Sequence, residues 1–263
     1  MKKIFKKVIS LALAIITSMS LIVIPNSKSN QFQANAAYIT YDSYEKALKG
    51  TLIGSSYQKI ISSKVIDEAP FRSNIEYMIK AKRGDLMIPQ YNSMDCTLIC
   101  IENLLLYYKK IMENSTSSAL SRGIMYLKLK QIASEKYYYS DKKGLSAIYH
   151  KSMCKSAFEA FGMKNVNINT FSRPTGCHTL EQLLRDEPYI LSSTDEYHSI
   201  LVFDWRKYEV KVKGYDGRIY TKYASFIRAH DPDGEIIVLP ASCVNSNSYD
   251  WEQVMYVKSC KLK

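Results

Sequence analysis

Cys96 stands where an apolar helical run begins, six residues after Gln90. A helix N-terminus offers free backbone N–H groups and a positive dipole end, which favour a thiolate over a thiol. The apolar residues that follow recur at steps of three and four, which predicts a helix from Cys96 with Glu102 and Asn103 on its polar side. Cys96 is therefore a candidate nucleophile. A buried core thiol, with Gln90 on the surface, is the alternative.

A nucleophilic cysteine needs a base and a group that orients the base. The candidate bases are the four histidines of the chain: His150, His178, His198 and His230. His198 stands at the head of the apolar segment SILVF, which reads as a rigid strand, whereas His150 lies inside a helical pattern and His178 in a loop. We favour His198 as the base, and we expect Cys96 and His198 to be partly exposed in a cleft.

The group that orients His198 has two candidates, Asp231 and Asp216. Asp231 ends the strand FIRAHD, which can run antiparallel to HSILVF and bring Asp231 beside His198, with Pro232 stopping the ladder there. Asp216 lies in GYDG, which is typical of a hairpin tip far from the head of the His198 strand. We favour Asp231 and predict that His230, one residue earlier, points to the opposite face.

Acyl-transfer chemistry at Cys96 also needs donors aimed at the developing oxyanion. The backbone N–H of Cys96 is one natural donor, and the side-chain amide of Gln90 is a candidate for another. A zinc site is not expected, because Cys177 and His178 are adjacent and no second pair stands at ligand spacing. We therefore predict a site without metal or cofactor.

The elements that must position these residues are predicted to be helices first and strands further along the chain. Helices are predicted at about 119–136 and after Gly144. Strands are predicted in VNI, in YILSS after Pro188, and in HSILVF, FIRAHDP, EIIVLP and WEQVMYVK, with a hairpin turn at Gly214–Gly217. This layout predicts an α+β domain, with the nucleophile at a helix start packed on a mostly antiparallel sheet.

The N-terminus has a basic start, an apolar stretch and a small-x-small site that ends at Ala36. These features predict a signal peptide at 1–36, cleaved after Ala36, and a secreted protein without stable membrane association. The apolar stretch is also long enough for an uncleaved anchor. Residues 37–85 read as a leading helical segment, either a removable pro-region or the first helices of the domain, and residues 86–263 as the main domain.

Cleavage after Ala36 changes the charge of the chain. It removes five lysines and no acid, so the net charge falls from +11 to +6. The remaining basic residues are scattered among acids, which indicates loose attraction to anionic surfaces such as cell wall and no nucleic-acid partner. The net positive charge of the chain is therefore interpreted mainly as a feature that keeps the protein soluble.

Four spaced segments resemble one known family. The segment Gln90-xxx-Met94-Asp95-Cys96 at a helix start, the segments LLRDEPYI and HSILVFDW, and FIRAHDPDG together resemble papain-like cysteine peptidases, and most closely their bacteriocin-processing branch. The resemblance covers roughly residues 86–240. It implies a papain-like fold, peptide or protein substrates, and an acyl-enzyme mechanism with Cys96, His198, Asp231 and Gln90. Thr97 stands where the family usually has a glycine, and the interval from His198 to Asp231 is longer than the family's.

Three other functions fit part of the pattern. The same Cys/His fold serves in acyltransferases that resemble butirosin biosynthesis protein H, although their carrier-protein substrates are cytoplasmic and this chain has an export signal. Asp95-Cys96-Thr97 resembles the Asp-Cys-Ser of exported cell-wall amidases and endopeptidases, which lack a glutamine at the position of Gln90. A catalytically inactive relative used for binding is the third alternative.

Overall fold

The computed structural model describes residues 40–68, 94–113, 122–172, 188–193, 198–232, 234–244 and 251–262. All of them belong to one compact unit, residues 37–263. In chain order its elements are α1 (Tyr44–Leu52), β1 (Tyr57–Glu68), α2 (Cys96–Glu113), α3 (Arg122–Tyr137), a 3-10 turn (Ala147–Tyr149), α4 (His150–Ala160), β2 (Met163–Ser172), β3 (Tyr189–Ser193), β4 (His198–Gly214), β5 (Ile219–His230), β6 (Ile236–Pro240), a second 3-10 turn (Ala241–Val244) and β7 (Trp251–Leu262).

The seven strands form one sheet in which every described pair is antiparallel. The order is β2-β7-β3-β4-β5-β6, and β1 pairs with β4 outside this path. The long strand β4 connects its parts: β3 pairs with its start, β1 with its far half, and β5 along its other edge. The start of β4 therefore lies in the centre of the sheet.

The two faces of the sheet carry separate cores because alternate side chains of a strand point to opposite faces. Leu201 and Phe203 of β4 pack in a cluster with residues of α2, α3 and α4. Ile200 and Val202 pack instead with Trp205 and with residues of β3, β5, β6 and β7. Each fully buried apolar side chain of this kind contributes roughly 1.5–3 kcal/mol to the free energy of folding. The first of these cores holds the start of α2 against the start of β4.

The structure confirms the predicted class, an α+β domain with a mostly antiparallel sheet. The predicted helices near 119–136 and after Gly144 correspond to α3 and α4, and the predicted strands correspond to β2 through β7. Residues 214–218 form the predicted turn between β4 and β5. Within the described ranges, no helix is long and apolar enough to cross a membrane.

The leading segment is only partly the helical segment that we predicted. Residues 44–52 are helical, but Tyr57–Glu68 form the twelve-residue strand β1. This strand contains Ile60, Ile61, Val65 and Ile66, branched residues that suit an extended chain, and it pairs with β4. Most of its side chains are exposed, so no alternation of apolar and polar residues marked it as a strand. The rest of the predicted helical segment, residues 69–85, lies outside the described residues.

The helix α2 differs from the prediction in its polar side. Glu102 and Asn103 were expected to face solvent, but both are fully buried, as are Leu98 to Ile101. The reason is that α2 contacts the sheet and also α3 and α4, so that its first turns are covered on every side. The side-chain amide of Asn103 lies 3.4 Å from Nδ1 of His230 on β5. The start of α2 is therefore fixed in the interior.

Candidate active site

Cys96 is the first residue of α2. The helix starts at this point because the backbone carbonyl of Asp95 accepts a hydrogen bond from the N–H of Ile99, at 3.0 Å. Cys96 keeps 4% of its surface exposed, and His198 keeps 8%, so the expectation that both would be partly exposed was wrong. Both side chains lie at the junction of α2 with the sheet, where α2 packs against β4.

His198 and Asp231 are brought together by the register of β4 and β5. Leu201 pairs with His230, so Asp231 follows on the side of the ladder that carries Ile200 and His198. Nε2 of His198 lies 3.3 Å from Oδ2 of Asp231. Cys96 is a further partner of the His198 ring, because a hydrogen bond with its side chain contributes to the raised pKa of His198. Cys96, His198 and Asp231 therefore form one chain of side chains.

The electrostatics of His198 follow from these partners. Burial by itself lowers the pKa of His198, because it penalises the charged imidazolium. The hydrogen bonds to Asp231 and to Cys96, together with the negative charges of both groups, outweigh this penalty and raise the pKa to about 10. At neutral pH the ring is therefore a cation.

The other histidines have a different environment. Burial lowers the pKa of His150 to about 4, and burial likewise lowers the pKa of His230 to about 4. Both rings are therefore neutral near pH 7, and His230 faces away from Asp231 toward Asn103, as the alternation predicted. His178 lies outside the described residues. Among the histidines of the described segments, His198 alone has both a cysteine and an aspartate as partners.

Asp216 lies at the opposite end of β4 from His198. It lies just beyond Gly214, the last residue of this strand of 17 residues, whose ends are at most about 50 Å apart at about 3.3 Å per residue. The Asp216 carboxylate accepts hydrogen bonds from the Tyr220 hydroxyl, at 2.5 Å, and from the N–H of Arg218, at 3.0 Å. The structure therefore places Asp216 at a hairpin tip and away from the candidate site.

Sequence reasoning missed the side chains that hold Asp95. This residue is fully buried directly before Cys96. Its carboxylate accepts one hydrogen bond from the Tyr126 hydroxyl, at 2.5 Å, and another from the Tyr139 hydroxyl. Burial, followed by the hydrogen bond to Asp95, raises the pKa of Tyr126 to about 12, so this tyrosine stays a donor. An aspartate directly before a candidate nucleophile was the only sequence signal of this anchor.

Two further sequence predictions concern the second oxyanion donor and metal binding. Gln90, the predicted second oxyanion donor, lies outside the described residues, and so does Cys177. The described side chains contain no group of three or more His, Cys, Asp or Glu residues placed to hold a metal ion.

Comparisons with protein-family models, with curated proteins and with solved structures find no match to this chain.

Proposed function

We propose that the protein is a secreted papain-like cysteine peptidase that hydrolyses peptide bonds through Cys96, His198 and Asp231. One observation carries the proposal: the chain of hydrogen bonds from the Cys96 side chain through the His198 ring to the Asp231 carboxylate. A thiol, an imidazole and a carboxylate in this order are the groups that nucleophilic catalysis on an acyl carbon requires.

The proposed reaction begins from a thiolate and an imidazolium. Because Nε2 of His198 faces Asp231, Nδ1 is the nitrogen left for Cys96. The Cys96 sulfur attacks the peptide carbonyl carbon, and the bond from carbon to the amide nitrogen breaks as His198 gives its proton to the leaving amine. Water then loses a proton to His198 and attacks the thioester, which releases the acid and restores Cys96. Asp231 holds the ring in the productive orientation throughout.

The developing oxyanion requires donors near the carbonyl carbon. The start of α2 supplies the backbone N–H of Cys96 and the positive end of the helix dipole. Gln90 is proposed as the second donor. Its replacement by Ala should lower turnover roughly 10²–10³-fold, the usual loss for one such donor, and Gln90→Glu should be as harmful. Near-normal turnover in both variants would remove Gln90 from the mechanism.

The papain-like fold is part of the proposal. A helix that starts at the nucleophile and packs on the strand of the base, with the orienting acid at the end of the next strand, supports it. No metal or cofactor enters the proposed reaction, and the proposed partner is a peptide or protein.

The predicted export is tested by sequencing the N-terminus of the protein recovered from the culture medium. This N-terminus should be Ala37 or a later residue. Protein with an intact Met1 in the membrane fraction would contradict the predicted cleavage.

Hydrolysis of an unfolded protein substrate by purified single variants tests the activity. Cys96→Ala, His198→Ala and the double variant should all lose hydrolysis to the same residual level, because the two groups act as one unit. Asp216→Asn is the matched control and should keep full activity. A double variant much worse than either single variant would contradict the pairing. Release of wall fragments from cell-wall material, without protein hydrolysis, would instead favour an amidase or endopeptidase.

A further inference from the structure

Thr97 and Ser199 directly follow the proposed nucleophile and the proposed base in the chain. Both are buried, with 4% and 1% of their surfaces exposed. Their hydroxyl oxygens lie 2.8 Å apart, so a single hydrogen bond joins the first turn of α2 to the first residues of β4. A second link joins the same places, since the Cys100 thiol donates to the backbone carbonyl of Ser199 at 3.4 Å.

The hydroxyls of Thr97 and Ser199 belong to a closed ring of hydrogen bonds. Ser192, the cross-strand partner of Ser199 on β3, has its oxygen 2.8 Å from that of Ser199 and 3.5 Å from Nδ1 of His150. Nε2 of His150 lies 3.2 Å from the carbonyl of Leu145 and 3.3 Å from Oγ1 of Thr97. The ring therefore connects α2, α4, β3 and β4 through side chains alone.

The donors and acceptors of this ring are consistent in one direction. A carbonyl only accepts, so Nε2 of His150 carries the proton, and this N–H is shared between the Leu145 carbonyl and Thr97. The side chain of Gln253 is a further hydrogen-bond partner of the same imidazole. Thr97 then donates to Ser199, Ser199 to Ser192, and Ser192 to Nδ1 of His150. Every member of the ring has a partner, which is the condition under which a buried polar network stabilises one arrangement. Protonation of His150 at Nδ1 would leave the Ser192 hydroxyl without its acceptor.

We propose that this ring, through the bond between Thr97 and Ser199, fixes the position of Cys96 relative to His198. The inference rests on the proposed function and makes Thr97 and Ser199 positioning residues. It also explains why Thr97 stands beside the nucleophile, because a glycine at this place would leave Ser199 without this partner. A shift of about 1 Å between reacting groups costs about 10²-fold in rate, so a bond this close to both groups affects the chemistry.

The test compares Thr97→Val, which removes the hydroxyl at nearly constant volume, with Thr97→Ser, which keeps it. The probe is iodoacetamide at pH 6, and the readout is the rate of alkylation at Cys96. We expect Thr97→Val to lower this rate roughly 10-fold to 100-fold, and Thr97→Ser to stay near the wild-type rate. Tyr108→Phe is the matched control: it removes another buried hydroxyl bond from α2 to the sheet, between Tyr108 and the carbonyl of Val257, and should leave the rate unchanged.

A second readout separates positioning from loss of folding. NMR titration of His198 in folded Thr97→Val should show a lower pKa, because a displaced Cys96 bonds the ring less well. Unchanged alkylation and an unchanged titration in folded Thr97→Val would overturn the positioning role while leaving the peptidase proposal intact. If wild-type Cys96 alkylates no faster than an ordinary thiol but Thr97→Val still lowers the pKa of His198, the peptidase proposal fails and the positioning role holds.

Discussion

Removal of the Asp231 charge should lower the pKa of His198, and the structure gives the size of the effect. The difference between a pKa of about 10 and the ordinary 6.5 corresponds to about 5 kcal/mol in favour of the imidazolium. One opposite charge within hydrogen-bonding distance raises a histidine pKa by about 1 to 3, and His198 has two such partners, Asp231 and Cys96. We therefore expect a pKa of roughly 7 to 9 in Asp231→Asn and a similar fall in Cys96→Ser.

The double variant Asp231→Asn with Cys96→Ser provides the sharper comparison. With both partners replaced, burial is the main remaining influence, and the pKa of His198 should fall below 6.5. The assay is a titration of ring carbon-bound protons by NMR in protein with labelled histidine, for which His198→Gln assigns the signal. Asp216→Asn is the control and should leave the titration unchanged. A wild-type His198 that titrates near 6.5, or a titration that Asp231→Asn does not move, would show that Asp231 does not raise the pKa of His198.

Two further predictions concern groups around the site. His150 and His230 have folded pKa values of about 4, below the ordinary 6.5, so the stability from each neutral ring is present above pH 6.5 and lost as the pH falls toward 4. The raised pKa of His198 has the opposite effect and returns about 1 kcal/mol between pH 7 and pH 5, so urea unfolding should show a net loss of about 3 kcal/mol at pH 5, and equal stability at both pH values would contradict this. Tyr139→Phe removes a donor to the buried Asp95 carboxylate and should lower the free energy of unfolding by about 1.5–3 kcal/mol, whereas Tyr137→Phe, whose hydroxyl is partly buried, should cost less; equal losses would argue against the anchor.

The helix and the two strands that carry the site residues could be predicted from the sequence. A helix from Cys96, a strand from His198 and a strand that leads to Asp231 follow from local periodicity, and antiparallel pairing of the two strands then places Asp231 beside His198. These are short-range patterns joined by one long-range pairing. Strand β1 was missed because its exposed side chains carry no period.

The surroundings of Cys96 could not be predicted in the same way. Thr97 meets Ser199, 102 residues later, and Asp95 meets Tyr139, 44 residues later. Such contacts depend on how helices and strands pack, and periodicity gives no information about them. The burial of Glu102 has the same origin, since contacts with two other helices cover the side of α2 that its composition marked as polar.

Alkylation of the purified protein across pH, with each cysteine mapped by mass spectrometry, is the direct test of whether Cys96 is an activated nucleophile. If Cys96 is the proposed nucleophile, it should react first and already well below pH 7, because the proposed mechanism pairs its sulfur with the His198 imidazolium. Burial raises the pKa of Cys100 and of Cys154, so these two should stay unreactive in the folded protein. In His198→Ala, the early reaction of Cys96 should disappear. Reaction of Cys96 together with the other cysteines near pH 8.5, unaffected by His198→Ala, would contradict the account.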